Sequence, residues 1–324
     1  MCTAATYATK NHYFGRNLDY GFSYGEEVVI IPRHFAFNLR NGQTLNPHYA
    51  IIGIAHVADG MPLLYDACNE KGLGMAGLNF VGNAFYHEPL PSKDNIAQFE
   101  FLPWILGQCA SVAEAKTLLA QINLTNTAFS EQLPPSDLHW MLADAKDAIV
   151  VEAVADGLKI YDNPAGILTN NPPFPEQLFR LNDYMHLSTV DPTNTLNPKI
   201  PLQAYSRGMG GIGLPGDLSS GSRFVKATFT RAHSLSADDE LSSVSQFFHI
   251  LHSVEQQNGC CDLGNNEYEH TLYSSCYNLD QGIFYYTTYN NHQISAVTLN
   301  KASIETSDLV RIPLIETEQI NYQN

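Results

Sequence analysis

Short apolar runs, separated by polar and glycine-containing turns, occupy both ends of the chain and predict β-strands. Turn signals such as Lys10-Asn11 and Asp59-Gly60 separate consecutive runs, which is typical of strands joined by tight hairpins. The strands predicted in this way cover residues 2–9, 12–17, 28–32, 49–55, 63–67, 72–80, 138–143, 148–153, 158–161, 167–169, 268–274, 283–289, 294–298 and 309–312.

A different spacing predicts helices in the middle of the chain. Ser111 precedes an apolar run and is followed three residues later by Glu114, which is typical of a capping box at a helix start. Residues 188–222 predict no regular element, and Ser219–Ser222 within them predicts a turn. The predicted helices cover residues 99–109, 112–122, 175–187, 223–231 and 243–257.

Strands joined by hairpins on both sides of a helical section indicate antiparallel sheets covered by helices, which is an α+β arrangement. The chain lacks the regular strand–helix alternation that predicts a parallel sheet. Its 324 residues contain no linker, internal repeat or low-complexity segment. The sequence therefore predicts one domain over residues 1–324.

The formal net charge of −16 at pH 7 argues against several classes of partner. Binding to nucleic acid or to an anionic membrane surface depends on clustered Lys and Arg, so we expect neither. The sequence shows no basic and apolar leader and no apolar run of about 18 residues, the length that spans a bilayer. We therefore expect a cytoplasmic protein. In so acidic a chain, an anionic substrate must be met by individual arginines.

Cysteine and histidine spacing predicts neither a metal site nor a cofactor. The six cysteines form no CxxC pair, and the twelve histidines form no HxH or HxxxH pair. Reduced thiols are the simplest interpretation for a cytosolic chain. Cys68, Cys109 and Cys276 lie in apolar runs, so we expect them to be inert thiols in the core.

Cys2 follows the initiator methionine directly and is the first candidate for chemistry. Removal of the methionine, which occurs when residue 2 is small, would leave Cys2 with a thiol and a free α-amine. Because such an amine ordinarily titrates near neutral pH, it can act as general base and then as general acid. In a hairpin of residues 2–9 and 12–17, Arg16 lies beside Cys2 and favours the thiolate, and Asp19 can orient the amine. The alternatives are a chance cysteine in a strand and a surface Arg–Asp pair.

Several sequence blocks are distinctive when taken together. They are MCT at the start, GRNLD at 15–19, NEKGLGMAGLNF at 69–80, LTNNP at 168–172, GGIGLPGD at 210–217 and SRFVKA at 222–227. Together these blocks resemble the choloylglycine hydrolase family, and within it the bile salt hydrolases. The resemblance extends over nearly the whole chain and implies a four-layer αββα N-terminal nucleophile hydrolase fold, with two stacked antiparallel sheets between helical layers.

The resemblance also implies roles for individual residues. Related acylases keep Thr-Asn-Xaa-Pro, which favours Asn170 over the adjacent Asn171. Asparagine at position 79, where penicillin V acylases often have tyrosine, favours bile salts as substrates. The matching positions are Cys2 for the nucleophile, Arg16 and Asp19 for the pair that supports it, Asn79 and Asn170 for the oxyanion donors, and Arg223 for a further active-site arginine.

The implied reaction is hydrolysis of the amide bond between a bile acid and glycine or taurine, through a thioester on Cys2 and without a cofactor. A steroid needs a broad apolar pocket. Aromatic and aliphatic residues in loops near Cys2 are candidates for its lining, although each is equally consistent with ordinary packing. These candidates are Leu18, Phe22, Tyr24, Met61, Leu63, Phe129 and Leu133.

Two other functions stay open on the sequence alone. The alternatives are a penicillin V acylase or another N-acyl amidase on the same fold, and a non-catalytic small-molecule binding protein that kept the fold. A competing amino acid that intercepts the thioester would give acyl transfer instead of hydrolysis. The resemblance also implies a homotetramer, for which residues 188–222 would supply an interface.

Overall fold

The computed structural model of the protein describes residues 1–299 and 304–324. Most predicted strands are present, with ends that shift by a few residues. In chain order the strands are β1 Cys2–Ala8, β2 His12–Tyr20, β3 Glu27–Ile31, β4 Phe37–Asn38, β5 Thr44–Leu45, β6 Ile51–Ala58, β7 Met61–Asn69, β8 Gly74–Asn79, β9 Asp94–Ala97, β10 Ile122–Thr125, β11 Leu138–Ala143, β12 Ala148–Val154, β13 Gly157–Asp162, β14 Ile167–Leu168, β15 Asp262–Gly264, β16 Glu267–Tyr268, β17 His270–Asn278, β18 Ile283–Thr288, β19 Asn291–Thr298 and β20 Val310–Pro313.

Five α-helices lie within the described residues, and short 3₁₀ turns cover Gln98–Glu100, Leu181–Tyr184 and Met209–Gly211. None of these helices is long and apolar enough to cross a membrane. The α-helices are α1 Phe101–Gln108, α2 Val112–Leu119, α3 Phe174–Arg180, α4 Ser220–His233 and α5 Glu240–His252.

Two antiparallel sheets form the centre of the molecule. The six-stranded sheet has the order β14-β1-β2-β17-β18-β19, and the eight-stranded sheet has the order β13-β12-β11-β8-β7-β6-β3-β20. In the first sheet the N-terminal strand β1 lies between β14 and β2, so both of its edges are paired. The first residues of the chain are therefore held inside a sheet, which fixes their side chains in space.

Apolar side chains define four layers. One core lies between the two sheets and continues to α4 and α5, with Phe14, Leu78 and Phe247 fully buried in it. A second core lies between the eight-stranded sheet and the pair α1 and α2, with Phe101 and Trp140 fully buried. The order is thus helices, sheet, sheet, helices. This arrangement confirms the predicted α+β class and its αββα layering.

The helix predicted over residues 112–122 is correct at its start and wrong at its end. The Ser111 hydroxyl accepts the Glu114 N–H at 3.2 Å, whereas the Glu114 carboxylate accepts the Ala110 N–H at 2.7 Å, one residue before the expected partner. Helix α2 ends at Leu119, and Ile122 begins β10 instead, which pairs in parallel with β9. Neither short strand is predictable locally, because each depends on a partner that is distant in sequence.

The starts of α4 and α5 also differ from prediction. The predicted turn at residues 219–222 is wrong, because Ser219 is the N-cap of α4 and the following serines form its first turn. Helix α5 begins at Glu240, and the Asp239 side chain caps it by accepting the Ser242 N–H at 2.9 Å. Serine and aspartate favour both turns and N-caps, so their presence alone does not separate the two.

Candidate active site

The hairpin of β1 and β2 brings Cys2 and Arg16 together. Cys2 lies opposite Leu18 and Ala4 lies opposite Arg16, so Cys2 and Arg16 are diagonal neighbours on one face of the hairpin. That face points toward the second sheet, and both side chains are buried. Asp19 lies three residues after Arg16. Because side chains alternate between the two faces of a strand, the Asp19 side chain projects from the opposite face.

The Arg16 guanidinium joins the two sheets at Cys2. Its Nη2 donates to Cys2 Sγ, and its Nη1 donates to the Gly77 carbonyl of the second sheet at 2.5 Å. Burial by itself lowers the pKa of Arg16, but the nearby Cys2 and Asp66 raise it, and the net result lies above the ordinary value. Arg16 is therefore a permanent cation, and a cation bonded to sulfur stabilises the thiolate.

A second arginine, Arg223 on α4, binds the same end of β1. Its Nη1 donates to the Cys2 carbonyl at 2.5 Å and to Thr3 Oγ1 at 2.6 Å. Its Nη2 donates to Asn170 Oδ1 at 2.7 Å, and the Cys2 N–H donates to the same oxygen at 2.8 Å. The nitrogen that would become the α-amine thus already lies against the Asn170 side chain.

Asp19 is the fully buried partner of Arg223. Its Oδ2 lies 3.8 Å from Arg223 Nη1 and accepts from Gln256 Nε2 at 3.2 Å, and its Oδ1 accepts from Thr271 Oγ1 at 2.6 Å. Burial raises the pKa of Asp19, and the charge of Arg223 opposes that rise. Burial lowers the pKa of Arg223, and Asp19 opposes that fall. Each charge therefore stabilises the other where water is excluded.

The two neighbouring asparagines at 170 and 171 point in different directions. Asn170 Nδ2 donates to the main-chain carbonyl of Asn79 at 2.8 Å, whereas Asn171 Nδ2 donates to the Val81 carbonyl at 2.7 Å. Among the described residues, the side-chain amide of Asn79 makes no hydrogen bond, and this residue lines the cavity next to Cys2. The structure thus links all six predicted catalytic residues in one network and leaves Asn171 outside it.

Met1 precedes β1 and is hydrogen-bonded to Asp19 near the end of β2. Its ammonium donates to the Asp19 carbonyl at 2.8 Å and forms an ion pair of 2.6 Å with Glu269, while the Asp19 N–H donates to the Met1 carbonyl at 3.0 Å. The Cys2 nitrogen is therefore a peptide nitrogen, whose lone pair is delocalised and not basic. The amine chemistry expected of Cys2 becomes available only when Met1 is removed.

Cys2, Arg16 and Asn79 line a cavity of about 510 Å³, within the range of roughly 300–1,000 Å³ typical of small-molecule sites. A few polar groups, among them Glu26 and His56, lie in a mainly apolar wall. Five of the seven predicted pocket residues line this cavity, and they are Leu18, Tyr24, Leu63, Phe129 and Leu133.

Phe22 and Met61 do not line the cavity, so the structure corrects these two predictions. Phe22 follows the end of β2, is 54% exposed and packs its ring on the outer side of Tyr20 and Tyr24. Met61 begins β7 at the hairpin end, opposite Ala58, and packs against the core under α1 and α2. Both residues are close in sequence to residues that line the cavity, which is why they were predicted. The direction of a side chain depends instead on its position in the strand and on where the strand ends.

Several residues around the site were not predicted. Thr271, Gln256 and Glu269 surround Asp19 and Met1, and Ser220 Oγ accepts the Asn170 N–H at 2.9 Å. Thr271 lies opposite Asp19 in the pairing of β17 with β2. Only knowledge of that pairing, which joins strands far apart in the chain, would have singled it out. Among the described residues, no group of three or more His, Cys, Asp or Glu side chains is arranged to hold a metal ion.

Comparison with known sequences gives matches along almost the whole chain. The family model for linear amide C–N hydrolases of the choloylglycine hydrolase family matches residues 2–312. A bile salt hydrolase/transferase from Lactiplantibacillus plantarum is 55% identical over 314 residues, which is 97% of each chain. A bile salt hydrolase/transferase from Clostridium perfringens is 36% identical over 329 residues and is covered completely.

Solved structures agree with this comparison. A mutant conjugated bile acid hydrolase from Clostridium perfringens superposes with a TM-score of 0.93 at 36% identity, over 100% of both chains. A penicillin V acylase from Agrobacterium tumefaciens superposes with a TM-score of 0.76 at 18% identity, over 96% of this chain and 90% of that chain. At that identity the second match supports a common fold and nothing more specific.

Proposed function

The chain belongs to the choloylglycine hydrolase family of linear amide C–N hydrolases, and we propose that it hydrolyses glycine- or taurine-conjugated bile salts. The chain is therefore a hydrolase with the N-terminal nucleophile fold. The observation that carries the proposal is the position of Cys2. Its sulfur bonds to a buried guanidinium and lines a mainly apolar cavity of about 510 Å³, whose walls suit a steroid.

Removal of Met1 is the first step of the proposal. It converts the Cys2 nitrogen from an amide into an amine that lies against Asn170 Oδ1, with Arg223 and Asp19 behind it. Asn170 would orient this amine through the hydrogen bond that now holds the peptide N–H. The amine can then accept and return protons without a histidine.

The Cys2 thiolate, stabilised by Arg16, would attack the carbonyl carbon of the substrate amide. The carbonyl oxygen becomes an oxyanion, which needs preorganised N–H donors. We assign this role to the side-chain amide of Asn79 and to Asn170 Nδ2. The latter bonds to the main-chain carbonyl of Asn79. The α-ammonium then gives its proton to the leaving nitrogen, the C–N bond breaks, and glycine or taurine departs.

Hydrolysis of the thioester completes the cycle. The α-amine, now neutral, takes a proton from water as the water oxygen attacks the thioester carbon. The C–S bond breaks, the bile acid leaves, and Cys2 recovers its thiolate and ammonium. None of these steps calls for a cofactor, because the chain itself supplies the nucleophile, base and oxyanion donors.

Turnover of paired substrates by the Met1-processed protein tests the proposal. We expect release of glycine from glycocholate and of taurine from taurocholate, measured by mass spectrometry of the free amino acid. Cys2→Ala should abolish release, whereas Cys260→Ala, at an exposed cysteine, should leave it unchanged. Release that persists in the Cys2 variant, or no release from either conjugate by the parent protein, would contradict the proposal.

Penicillin V acylase activity is the nearest alternative on this fold. Equal assays with glycocholate, taurocholate and penicillin V separate the two activities, and faster turnover of penicillin V would favour the alternative. A non-catalytic binding protein would keep Met1 or would bind bile salts without turnover. Intact-mass measurement shows directly whether Met1 has been removed.

Transfer of the acyl group to an amino acid is a second reaction of the same thioester intermediate. Relatives that are 55% and 36% identical carry the description hydrolase/transferase. We propose that an amino acid competes with water for the thioester on Cys2. Incubation with taurocholate and isotopically labelled glycine should then give labelled glycocholate, and the absence of any labelled conjugate would contradict this step.

We also propose that the chain forms one domain over residues 1–324, is located in the cytoplasm and assembles as a homotetramer. Exposed apolar side chains in residues 185–205 support the tetramer, because a monomer would leave them in water. They are Met185, Val190, Leu196, Ile200, Leu202 and Tyr205.

A further inference from the structure

Asp66 is a fully buried carboxylate that no step above uses. It lies on β7 of the eight-stranded sheet, and its three hydroxyl donors lie on β17 of the other sheet. Tyr273 Oη donates to Oδ1 at 2.5 Å, and Ser275 Oγ and Tyr277 Oη donate to Oδ2 at 2.7 and 2.8 Å. Three donors that converge on two oxygens stabilise an ionised carboxylate over a neutral acid.

A short chain of hydrogen bonds connects Asp66 with Arg16. The main-chain N–H of Arg16 donates to Ser275 Oγ at 3.1 Å, and that hydroxyl donates to Asp66 Oδ2. The residue before Asp66, Tyr65, receives Arg16 Nη1 on its carbonyl at 3.4 Å. Both charged side chains lie in the space between the sheets, where water is excluded and charges act on each other over longer distances than at the surface.

We propose that Asp66 is a positioning residue whose negative charge limits how strongly Arg16 stabilises the Cys2 thiolate. The inference rests on the proposed role of Cys2 as nucleophile. The Cys2 sulfur and the Asp66 carboxylate are both near the Arg16 guanidinium, and the negative potential of Asp66 at Cys2 partly cancels the positive potential of Arg16. A thiolate that is stabilised less strongly keeps more nucleophilicity, because the reactivity of thiolates falls as they become less basic.

Other titratable groups also face this site. Arg223 acts on Cys2 from α4, and Glu26 acts on Tyr273 from the segment before β3. Tyr273 and Tyr277 face Asp66 from β17, and burial raises the pKa of each well above its ordinary value, so both remain neutral. Cys68, also near Asp66, is kept neutral because burial raises its pKa. Asp19 is the other acid near Arg16. Burial raises the pKa of Asp66 as well; Arg16 and the three hydroxyl donors oppose that rise, and the net result lies above the ordinary value.

Alkylation of Cys2 at different pH values tests the inference without any bile salt. We would treat the Met1-processed protein and its Asp66→Asn variant with iodoacetamide between pH 5 and 9. The N-terminal tryptic peptide, residues 2–10, contains no other cysteine and reports the labelling of Cys2 by mass. We expect alkylation of the variant to begin at lower pH, by about one unit, which raises the thiolate fraction in mildly acidic buffer about tenfold. Because the less basic thiolate is intrinsically less reactive, alkylation there should be roughly threefold faster. Its kcat for bile salts should fall.

Two further variants separate charge from packing. Phe14→Leu loosens the fully buried core beside Tyr277 without removing a charge, so it should lower the melting temperature and leave the pH profile of alkylation unchanged. Ser275→Ala removes one donor to Asp66 and should give a smaller shift in the direction of Asp66→Asn. If circular dichroism shows that Asp66→Asn does not fold, the alkylation profile of Ser275→Ala replaces it as the test of the inference.

A folded Asp66→Asn variant with an unchanged profile, or with a shift to higher pH, would overturn the inference. An unchanged Ser275→Ala profile would do the same where that variant decides. Failure of the proposed function is separate, since it would appear as absent bile-salt turnover in the parent protein, whatever the alkylation profiles show.

Discussion

At the scale of single residues, orientation distinguishes side chains that the sequence leaves equivalent. Asn170 and Asn171 are identical in chemistry and adjacent in the chain, yet only Asn170 contacts Cys2 and Arg223. Asn171 is exposed and bonds to Val81 instead. The difference arises because β14 ends just before them and successive side chains then diverge.

The two asparagines form a matched pair for mutagenesis. Asn170→Ala should lower kcat for conjugated bile salts by about 100-fold or more, because it removes a group assigned to hold the amine and the oxyanion. Asn171→Ala should leave kcat nearly unchanged, because its contacts lie outside the network. Steady-state kinetics of the processed variants provide the measurement, and equal losses in both would contradict the assignment.

At the scale of elements, buried polar contacts hold the segment that carries Asn170. His139 Nε2 lies 2.8 Å from the Thr169 carbonyl, and His139 Nδ1 lies 3.2 Å from Glu152 Oε1. The same Glu152 oxygen accepts the Phe174 N–H at 2.9 Å, at the start of α3. The neighbouring strands β11 and β12 therefore hold both ends of residues 169–174, and with them the direction of Asn170.

Loss of the His139 ring should show this link between elements. His139→Leu removes the hydrogen-bond partner of the Thr169 carbonyl and one of the two partners of Glu152 Oε1, so we expect the unfolding free energy to fall by roughly 2–4 kcal/mol. We also expect kcat to fall, because residues 169–174 lose their support. Urea unfolding and kinetics measure the two effects. His87→Leu, which removes a 3.2 Å contact with the Val154 carbonyl away from the site, should cost only about 1 kcal/mol and leave kcat unchanged.

Glu100, just before α1, predicts a pH dependence of stability. Its carboxylate accepts the N–H groups of Arg40 and Ala97 at 2.7 and 3.0 Å, yet burial raises its pKa above the ordinary value of 4.5. The folded protein therefore holds this proton more tightly than the unfolded chain. The stability that it contributes is complete below about pH 4.5 and is lost as pH rises through the folded pKa.

The Glu100→Gln variant cannot lose this proton, so its stability relative to the parent protein should improve as pH rises above 4.5. The glutamine itself costs about 1–3 kcal/mol at every pH, because its amide faces one of the two N–H donors. Urea unfolding at several pH values gives the difference between the proteins. Glu114→Gln, at an exposed carboxylate of α2, is the control. Parallel curves for Glu100→Gln and the parent would show that this group does not titrate as expected.

At the scale of the whole molecule, the two sheets and their helices leave one long segment outside the cores. Residues 185–219 contain no α-helix or strand, and several of their large apolar side chains are exposed. Leu196 is 83% exposed, for example, and Tyr205 is 84% exposed. Such a concentration of apolar surface is typical of a surface that another chain covers, which favours assembly of copies through this segment.

A charge placed in this segment tests the assembly. We expect the parent protein to behave as a tetramer in light scattering and Leu196→Asp to shift it toward smaller species, since a buried carboxylate without a partner opposes association. Leu235→Asp is the control, because Leu235 is 89% exposed but lies between α4 and α5, outside the segment. A Leu196→Asp protein with the parent's mass would place the interface elsewhere.

Local sequence information was sufficient for much of the molecule. Alternating and apolar runs predicted nearly all strands of the two large sheets, because burial of one or both faces leaves a local pattern. The hairpin geometry that places Arg16 beside Cys2 follows from two adjacent strands and one turn. The αββα layering and the candidate positions Asn79, Asn170 and Arg223 came from resemblance, since residues as distant as Cys2 and Arg223 have no local signal that joins them.

Contacts between segments that are distant in sequence decided the features that the local sequence did not predict. Thr271 and Gln256 reach Asp19 only because β17 pairs with β2, and Ser220 reaches Asn170 only because α4 packs on β14. Pairing in space also formed β9 and β10, which have weak strand character of their own. Phe22 and Met61 lie outside the cavity for a related reason. A side chain's direction depends on where its strand ends and on which layer covers it, and neither is encoded within a few residues of it.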